Sequence, residues 1–408
     1  MNAAQVYEVE CLKSASATAT SVVLPFPRGP VLGWASFTGA RSAGLPSVED
    51  LPQVALTSSG RAAIHQALRQ LQLPAGSKVL LPTYHCPTMV APVLLAGLQP
   101  MFYAVREDGL PNIASLSRPE AENAGAVLTA HYFGLTRSLR EVRAWCDERG
   151  IALIEDCAHA FFGMAGERPV GAWGDFSIAS VTKFLPVPEA GLLASAQCSI
   201  NELTLVRQGV KAAIKGWLDV LETGVTYCRF QGLNRGLQAL FRLKNRGETV
   251  FRASPMVDSS QESAAMMMET CDMGRIEQAP LGVARVLLRV LPRGRVVAQR
   301  QENYRCYAAH FPKMPGVRSL FPDLPPQTAP YVFPVWFDDV DRVYAGVRTE
   351  NLPVFRWDRI WPGTPHLQDD CGLAWSNHVL QFLCHQDLNA ADIRYIVQRA
   401  CALVGVSD

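Results

Sequence analysis

Short apolar runs of buried-strand length alternate with segments of helical periodicity from about residue 54 to residue 195. The strand-type runs are residues 78–82, 100–105, 126–130, 151–154, 176–179 and 192–195, and helices are predicted to begin near residues 59, 89 and 138. The third helix starts with capping-box spacing, because Glu141 follows Ser138 by three residues, and it is expected to end at Gly150. Strands separated by such helices form a mostly parallel sheet covered on both faces. The pattern predicts an α/β fold.

The 408 residues are too many for one ordinary domain. Residues 1–50 lack periodicity and are predicted to form an irregular N-terminal arm. Residues 51–270 are predicted to form the large domain, in which 205–270 is a helical and loop insertion, with a helix over 203–221. Residues 271–408 are predicted to contain connecting helices at 273–291 and 296–311 and a smaller α/β unit. In that unit we expect a strand at 331–337 and helices at 340–349 and 390–403.

The charge balance disfavours binding to nucleic acid or to an anionic membrane. The chain has 38 basic and 37 acidic residues, a net charge of +1. No run reaches the roughly 18 uncharged apolar residues of a membrane helix, and no signal peptide is apparent. The eleven cysteines are odd in number and include no Cys-x-x-Cys pair. This usage argues against a disulfide framework or a metal site and favours the cytoplasm.

A lysine and an acid lie beyond the ends of two predicted strands. Lys183 follows the run 176–179, and Asp156 follows the run 151–154. Pyridoxal 5′-phosphate chemistry needs such a pair, because the amine forms a Schiff base with the cofactor aldehyde and the carboxylate keeps the pyridine nitrogen protonated. Tyr84 and His131 also fall at strand ends, where ligands of parallel sheets bind. Either member of the pair alone is weak evidence.

A helix start upstream has the features of a phosphate site. Ser59, Gly60 and Arg61 place a hydroxyl, a small residue and a cation at the N-terminus of a predicted helix. Ser180 lies three residues before Lys183 and is expected to face the same pocket. A simple N-cap with Arg61 in solvent is the alternative interpretation, and the residues alone leave it open.

The order of motifs along the chain resembles the DegT/DnrJ/StrS family. The motifs are Ser-Gly-x-Ala-Ala at 59, Pro-x-Tyr-x-x-Pro-Thr at 82, His-Tyr-Phe-Gly at 131, Glu-Asp-x-Ala-His at 155 and the lysine at 183. The likeness covers 54–195 strongly and parts of 302–392 weakly. It implies a fold-type I pyridoxal phosphate enzyme with a large domain, a smaller C-terminal α/β domain and a homodimeric assembly. Family members are mostly aminotransferases acting on nucleotide-linked keto-sugars.

The resemblance assigns roles by position. Lys183 matches the Schiff-base lysine, Asp156 the acid at the pyridine nitrogen, and His159 the group near the phenolic oxygen of the cofactor. The phosphate contacts match Ser59, Gly60, Arg61 and Ser180, and His131 falls near the reactive face. Without the resemblance, His131 and His159 are equally well interpreted as structural histidines.

Three departures from the family pattern fall near the predicted substrate. Cys86 stands where the family has an aromatic residue stacked on the cofactor, which leaves Tyr84 and His85 as candidates for that role. Arg61 replaces a threonine, and Phe184 replaces an asparagine. In the second domain, Arg356, Trp357 and Trp361 are candidates for holding the acceptor, although a packed structural loop explains them equally well.

The resemblance implies transfer of an amino group from an amino acid donor, glutamate by resemblance, to a keto acceptor. The acceptor implied is a nucleotide-linked keto-sugar in polysaccharide or amino-sugar biosynthesis. A lyase or dehydratase of the same fold is an alternative, although some relatives that dehydrate sugars carry histidine at the position of Lys183, so the lysine favours transamination. A pyridoxal phosphate-binding regulator without turnover is the other alternative.

Overall fold

The computed structural model describes residues 26–244 and 263–404. Its central element is a seven-stranded sheet, formed by β1 Gln53–Thr57, β2 Lys78–Pro82, β3 Gln99–Tyr103, β4 Ala124–Ala130, β5 Ala152–Asp156, β8 Phe176–Ser180 and β9 Gly191–Ser195. The strands lie in the order β1-β9-β8-β5-β4-β2-β3. From β3 to β8 all neighbours pair in parallel, whereas β9 is antiparallel to both β8 and β1. The predicted α/β class with a mostly parallel sheet is confirmed.

Helices follow several of these strands. They are α1 Gly60–Leu71, α2 Pro87–Leu95, α3 Ile113–Leu116, α4 Arg140–Arg149, α5 Val210–Thr226, α6 Asn234–Lys244, α7 Ala264–Thr270, α8 Gly282–Val290, α9 Gly294–His310, α10 Val340–Thr349, α11 Gly372–His378 and α12 Ala390–Ala402. The central strands β2, β4 and β5 are almost wholly buried, as expected for parallel strands covered on both faces.

A second sheet is formed from the C-terminal part of the chain. Its strands are β10 Val317–Ser319, β11 Val332–Phe337, β12 Val354–Arg356 and β13 Val379–Leu383. They lie in the order β10-β11-β13-β12 and pair antiparallel. The predicted strand at 331–337 and the predicted helices at 340–349 and 390–403 are present within one or two residues. A two-stranded ribbon, β6 Met164–Ala165 and β7 Arg168–Pro169, completes the strands of the described residues.

Two predicted helices differ from the structure. The helix expected over 203–221 begins only at Val210, because Val206 pairs its backbone with Glu277 and Ala279 instead. The helix expected over 273–291 is replaced by a single turn, Met273–Arg275, and the shorter helix α8. Pro280 lies between these two elements and has no N–H to continue a helix.

The predicted capping box at Ser138 is also wrong. The helix begins at Arg140 with Leu139 as its N-cap, and the Ser138 hydroxyl donates to Glu167 instead. Gly150 ends the helix as predicted, in the left-handed conformation with a φ of 64°.

The described part of the predicted N-terminal arm has short 3₁₀ turns at Trp34–Phe37 and Val48–Asp50. Residues 1–25 and much of the predicted loop at 253–263 lie outside the described residues. None of the helices within the described ranges combines the length and the apolar character needed to cross a bilayer. Cys228 is disulfide-bonded, whereas the cysteine usage argued against a disulfide framework.

Candidate active site

A cavity of about 500 Å³ opens beyond the carboxyl ends of β4, β5 and β8. Its walls come from the start of α1, the strand ends and residues of the second sheet. This is the position at which parallel α/β sheets bind ligands. Nine of the predicted site residues with functional side chains line it: Ser59, Arg61, His131, Asp156, His159, Ser180, Lys183, Arg356 and Trp357.

Lys183 and Asp156 both line this cavity, and their charges interact. Lys183 ends a single 3₁₀ turn after β8, and Asp156 is the last residue of β5. Burial lowers the pKa of the Lys183 amine, and the charge of Asp156 opposes that shift. Burial raises the pKa of Asp156, while a hydrogen bond from the Ala158 N–H at 2.8 Å and the charge of Lys183 lower it. The cavity therefore pairs an amine that deprotonates readily with a desolvated carboxyl group.

The expected phosphate end is a close junction between the start of α1 and the end of β8. Ser59 caps α1 by accepting a hydrogen bond from the Ala62 N–H at 3.2 Å. A Cβ on Gly60 would lie 3.5 Å from the Ser180 Cβ, an ordinary van der Waals distance, so the helix start and the strand end lie close together. The first N–H groups of a helix have no partner within it and carry a partial positive charge. The hydroxyls of Ser180 and Thr182 lie 3.2 Å apart beside them.

Arg61 lies at this end but is engaged elsewhere. Its guanidinium forms an ion pair with Asp272 at 2.5 Å and also donates to the Asp272 carbonyl at 3.1 Å. The predicted role of Arg61 as a free anion-binding cation is therefore replaced by a salt bridge at the mouth of the cavity. The helix start and the hydroxyls remain as the anion-binding groups.

His131 lines the cavity and is held by Glu155. Its Nε2 lies 2.8 Å from a Glu155 carboxylate oxygen, and both side chains are buried. Glu155 also accepts hydrogen bonds from the backbone N–H groups of Gly171, Trp173 and Gly174 at 2.7–3.2 Å. Burial raises the pKa of Glu155, but the bonds to His131 and the backbone outweigh it, so that the pKa is lowered. His131 is thus the donor, with its orientation fixed by a carboxylate.

His159 belongs to a group of rings beside Lys183. Its ring centroid lies 4.4 Å from Tyr331 and 4.9 Å from Trp357. Burial lowers the pKa of His159 well below its usual value, with a further contribution from the charge of Lys183. The Lys183 amine lies 5.2 Å from the centre of the Tyr331 ring. His159 is therefore a neutral ring at physiological pH, placed in the cavity as predicted.

Tyr84 and His85 do not line the cavity, which corrects their predicted contact with the cofactor. Tyr84 is fully buried, and its hydroxyl accepts a hydrogen bond from Gln381 at 3.0 Å. The His85 ring stacks on Phe102, while its Nδ1 lies 2.9 Å from the Pro82 carbonyl and its Nε2 accepts from the Trp361 N–H at 3.0 Å. Both side chains join parts of the chain that are distant in sequence. Cys86, at the position of the expected stacking residue, does line the cavity.

Arg356 is not available to a substrate carboxylate or phosphate. Its guanidinium is paired with Asp341 and donates to the carbonyls of Ser376 and Asn377 at 3.1 Å each. Trp361 is buried. Trp357 is therefore the member of this predicted acceptor loop that offers its ring to the cavity.

The sequence interpretation missed other cavity residues. Thr182, Tyr331 and the ion pair between Glu189 and Arg275 line the cavity without having been predicted. The pattern Ser-x-Thr-Lys, with hydroxyls one and three residues before the lysine, indicates Thr182. The position of Tyr331 immediately before β11 is a weaker indication, and nothing in the sequence brings Arg275 to Glu189.

Comparison with known proteins agrees with this geometry. Residues 51–218 match the DegT/DnrJ/EryC1/StrS aminotransferase family. This match covers less than half of the chain. It contains the predicted phosphate end, Asp156, His159 and Lys183, so the motifs that suggested the family lie within the match.

Two curated relatives show how far the likeness extends. The GDP-perosamine synthase of Vibrio cholerae is 30% identical over 169 residues, covering 40% of this chain and 46% of the relative. A UDP-N-acetyl-3-dehydro-α-D-glucosamine 3-aminotransferase of Acidithiobacillus ferrooxidans is 29% identical over 135 residues, covering 33% of this chain and 36% of the relative. The chain thus spans less than half the length of these relatives.

The fold extends further than the sequence likeness. The aminotransferase PseC of Helicobacter pylori, involved in the biosynthesis of pseudoaminic acid, superposes with a TM-score of 0.58 over 87% of each chain at 12% identity. The chain therefore has the fold of the fold-type I aminotransferases beyond the matched segment.

The cofactor of this family is pyridoxal phosphate, and the residues of the cavity fit it. A desolvated amine and a buried carboxyl group occupy adjacent strand ends. A helix start and two hydroxyls provide a site for a phosphate. The cavity volume of about 500 Å³ is within the range of cofactor and small-molecule sites.

Proposed function

We propose that the protein is a pyridoxal phosphate-dependent aminotransferase that moves an amino group from an amino acid, glutamate in the first instance, to a nucleotide-linked keto-sugar. The observation that carries the proposal is the cavity that holds the Lys183 amine and the Asp156 carboxyl group, with the start of α1 at one end. Two curated relatives are, by name, enzymes of nucleotide-linked amino-sugar formation. This supports the proposed acceptor class.

When bound, pyridoxal phosphate supplies an electron sink that stabilises negative charge at the carbon losing a proton. Lys183 would hold the cofactor through its amine, and the same amine would move the proton to and from the substrate carbon. Burial lowers the pKa of its amine, which favours the neutral form that a general base requires. Asp156 would keep a proton on the ring nitrogen, and the Ala158 N–H orients its carboxyl group. The neutral His159 ring is proposed to lie against the phenolic oxygen.

The lysine assignment is tested by absorption spectroscopy. Lys183→Ala should abolish the visible absorption band that the wild-type protein shows with pyridoxal phosphate, because the covalent link to the amine is lost. Lys211→Ala is the matched control, since Lys211 is exposed on α5, away from the cavity lining. Retention of the band in Lys183→Ala would rule out this lysine.

Turnover is tested separately. Addition of glutamate to the loaded wild-type protein should bleach the visible band, and a keto-sugar nucleotide added afterwards should restore it. A band that no amino acid bleaches would contradict the aminotransferase and favour a binding protein without turnover. Restoration by simple keto acids but by no sugar nucleotide would contradict the acceptor class.

We also propose a cytoplasmic homodimer, as expected from the family resemblance. The domain boundaries at residues 50 and 270 likewise remain predictions. Sedimentation of the purified protein at micromolar concentration measures the assembly, and a monomer would contradict it.

A further inference from the structure

A fully buried arginine holds the main chain of Lys183. Arg300, on α9, has no exposed surface. Its guanidinium donates to the Lys183 carbonyl at 2.5 Å, to the Pro330 carbonyl at 3.2 Å and to the Gln386 side-chain oxygen at 3.2 Å. Each of these acceptors is a neutral oxygen. Burial lowers the pKa of Arg300 to about 10, so the group stays charged at neutral pH.

Gln386 binds the main-chain carbonyl of Phe184, the residue after Lys183. Its side-chain N–H donates to the Phe184 carbonyl at 2.8 Å, while its oxygen accepts from Arg300. The Arg300 guanidinium also lies 4.3 Å from the centre of the Phe184 ring. Arg300 and Gln386 therefore fix two successive carbonyls, those of Lys183 and Phe184, from parts of the chain more than 100 residues away.

A buried cation whose hydrogen bonds go to neutral oxygens is costly, because it gives up hydration. The charge of Asp387 offsets this cost only in part, since the pKa of Arg300 is still lowered. A packed hydrophobic side chain at the same position would avoid that cost. One of the three donated bonds goes directly to the carbonyl of Lys183, the residue with the reacting amine, where a fixed main chain has a chemical consequence. The aromatic ring of Phe184, at the position where the family has asparagine, adds a cation–π contact to the same guanidinium.

We propose that Arg300 and Gln386 are positioning residues that hold the main chain at Lys183 so that its amine is presented to the cofactor. This inference rests on the proposed function. It means that the position of the reactive lysine depends on residues outside the cavity, because its main chain is held by α9 and by the loop after β13. Neither side chain is part of the cavity lining within the described ranges, and each acts through the segment that carries Lys183.

The test compares Arg300→Met with Arg295→Met. Both arginines lie on α9 and both bond to the loop after β13, but Arg295 donates to the Gln386 carbonyl at 2.7 Å and pairs with Asp387 at 3.0 Å, away from Lys183. The measurement is the rate at which the visible band rises when cofactor-free protein is mixed with pyridoxal phosphate. We expect at least a tenfold slower rise in Arg300→Met, about the loss expected for a charged hydrogen bond, and less than about a twofold change in Arg295→Met.

Gln386→Met is the second variant, since it keeps the side-chain volume and removes the donor to Phe184. Gln386→Met should also slow the rise of the band. This variant provides the test if Arg300→Met does not fold. Urea unfolding of each variant separates a loss of stability from a loss of positioning. Equal rates in the Arg300, Gln386 and Arg295 variants, with a normal wild-type band, would overturn this inference alone. Absence of the band in the wild type would overturn the proposed function as well.

Discussion

Two neighbouring acids on β5 have different environments. Side chains alternate between the faces of a strand, and at the end of β5 this places Asp156 in the cavity and leaves Glu155 out of its lining. Glu155 is satisfied by His131 and three backbone N–H groups, and its pKa is lowered. Asp156 has fewer partners, and burial raises its pKa. We therefore infer that Glu155 stabilises the fold and that Asp156 takes part in the reaction.

Paired substitutions test this division. Glu155→Gln replaces an acceptor of four hydrogen bonds by an amide whose NH₂ faces other donors. It should lower the free energy of unfolding by about 2–4 kcal/mol. Asp156→Asn should leave the unfolding midpoint of the cofactor-free protein nearly unchanged but slow the bleaching by glutamate at least about a hundredfold, since the ring nitrogen loses its partner. Urea unfolding and stopped-flow absorbance measure the two effects. A loss of stability in Asp156→Asn together with slow bleaching in Glu155→Gln would contradict the roles given to these two acids.

The loop after β4 is the element that brings the two sheets together at the cavity. Phe133 and Gly134 both have positive φ, 62° and 81°. A Cβ on Gly134 would overlap the Tyr331 backbone nitrogen and would lie 2.5 Å from the His159 carbonyl oxygen. The Tyr331 N–H donates to the Phe133 carbonyl at 2.9 Å. A glycine at 134 therefore sets the distance between two cavity segments.

Gly134→Ala should displace the segments that carry His159 and Tyr331. We expect a loss of more than about 3 kcal/mol of stability, since backbone atoms on both sides must move. The control is Gly150→Ala, because Gly150 also has a positive φ, 64°, but a Cβ added there would meet no atom of the described residues within 4 Å. It should cost only about 1 kcal/mol, from the strained conformation alone. Equal unfolding midpoints for the two variants would contradict the close-approach argument.

The helices and strands that could be predicted are those determined by residues close together in the sequence. The strands before Asp156 and Lys183 are short apolar runs, and the helix at Gly60 follows a serine cap. The predictions that failed depended on distant partners. Val206 pairs with residues near 278, which delays the start of α5, and the Ser138 hydroxyl binds Glu167. Sequence periodicity contains no information about such partners.

The same distinction applies to the site. Lys183, Asp156 and Ser180 could be placed because they follow strands of one sheet, whose ends meet at one edge. His85 was misplaced because its orientation depends on Trp361, 276 residues away. Arg300 was missed because a single arginine in a helical segment gives no indication that it is buried against Lys183.

At the scale of the whole molecule, two buried histidines join distant parts of the chain. His85 connects the end of β2 to Trp361, and His385 connects the end of β13 to Pro27. In each ring one nitrogen lies 2.9 Å from a backbone carbonyl and the other accepts from a backbone N–H, at Trp361 or Asp387. Each ring must therefore be neutral, because a second ring N–H would point at a backbone donor. Burial accordingly lowers the pKa of both histidines from 6.5 to about 4.

This arrangement predicts a loss of stability in acid. Between pH 6.5 and pH 4 the unfolded chain binds protons at these two positions that the folded chain does not. The free energy of unfolding therefore falls as the pH is lowered through that window, by up to about 1.4 kcal/mol per pH unit for each histidine. The contribution is constant above about pH 6.5. Urea midpoints of the wild type and of His85→Gln and His385→Gln, measured from about pH 4.5 to about pH 7.5, test this, since glutamine offers a donor and an acceptor without titrating. Each variant should have a shallower acid decline, whereas a slope equal to that of the wild type in both would show that these histidines already titrate normally in the folded protein.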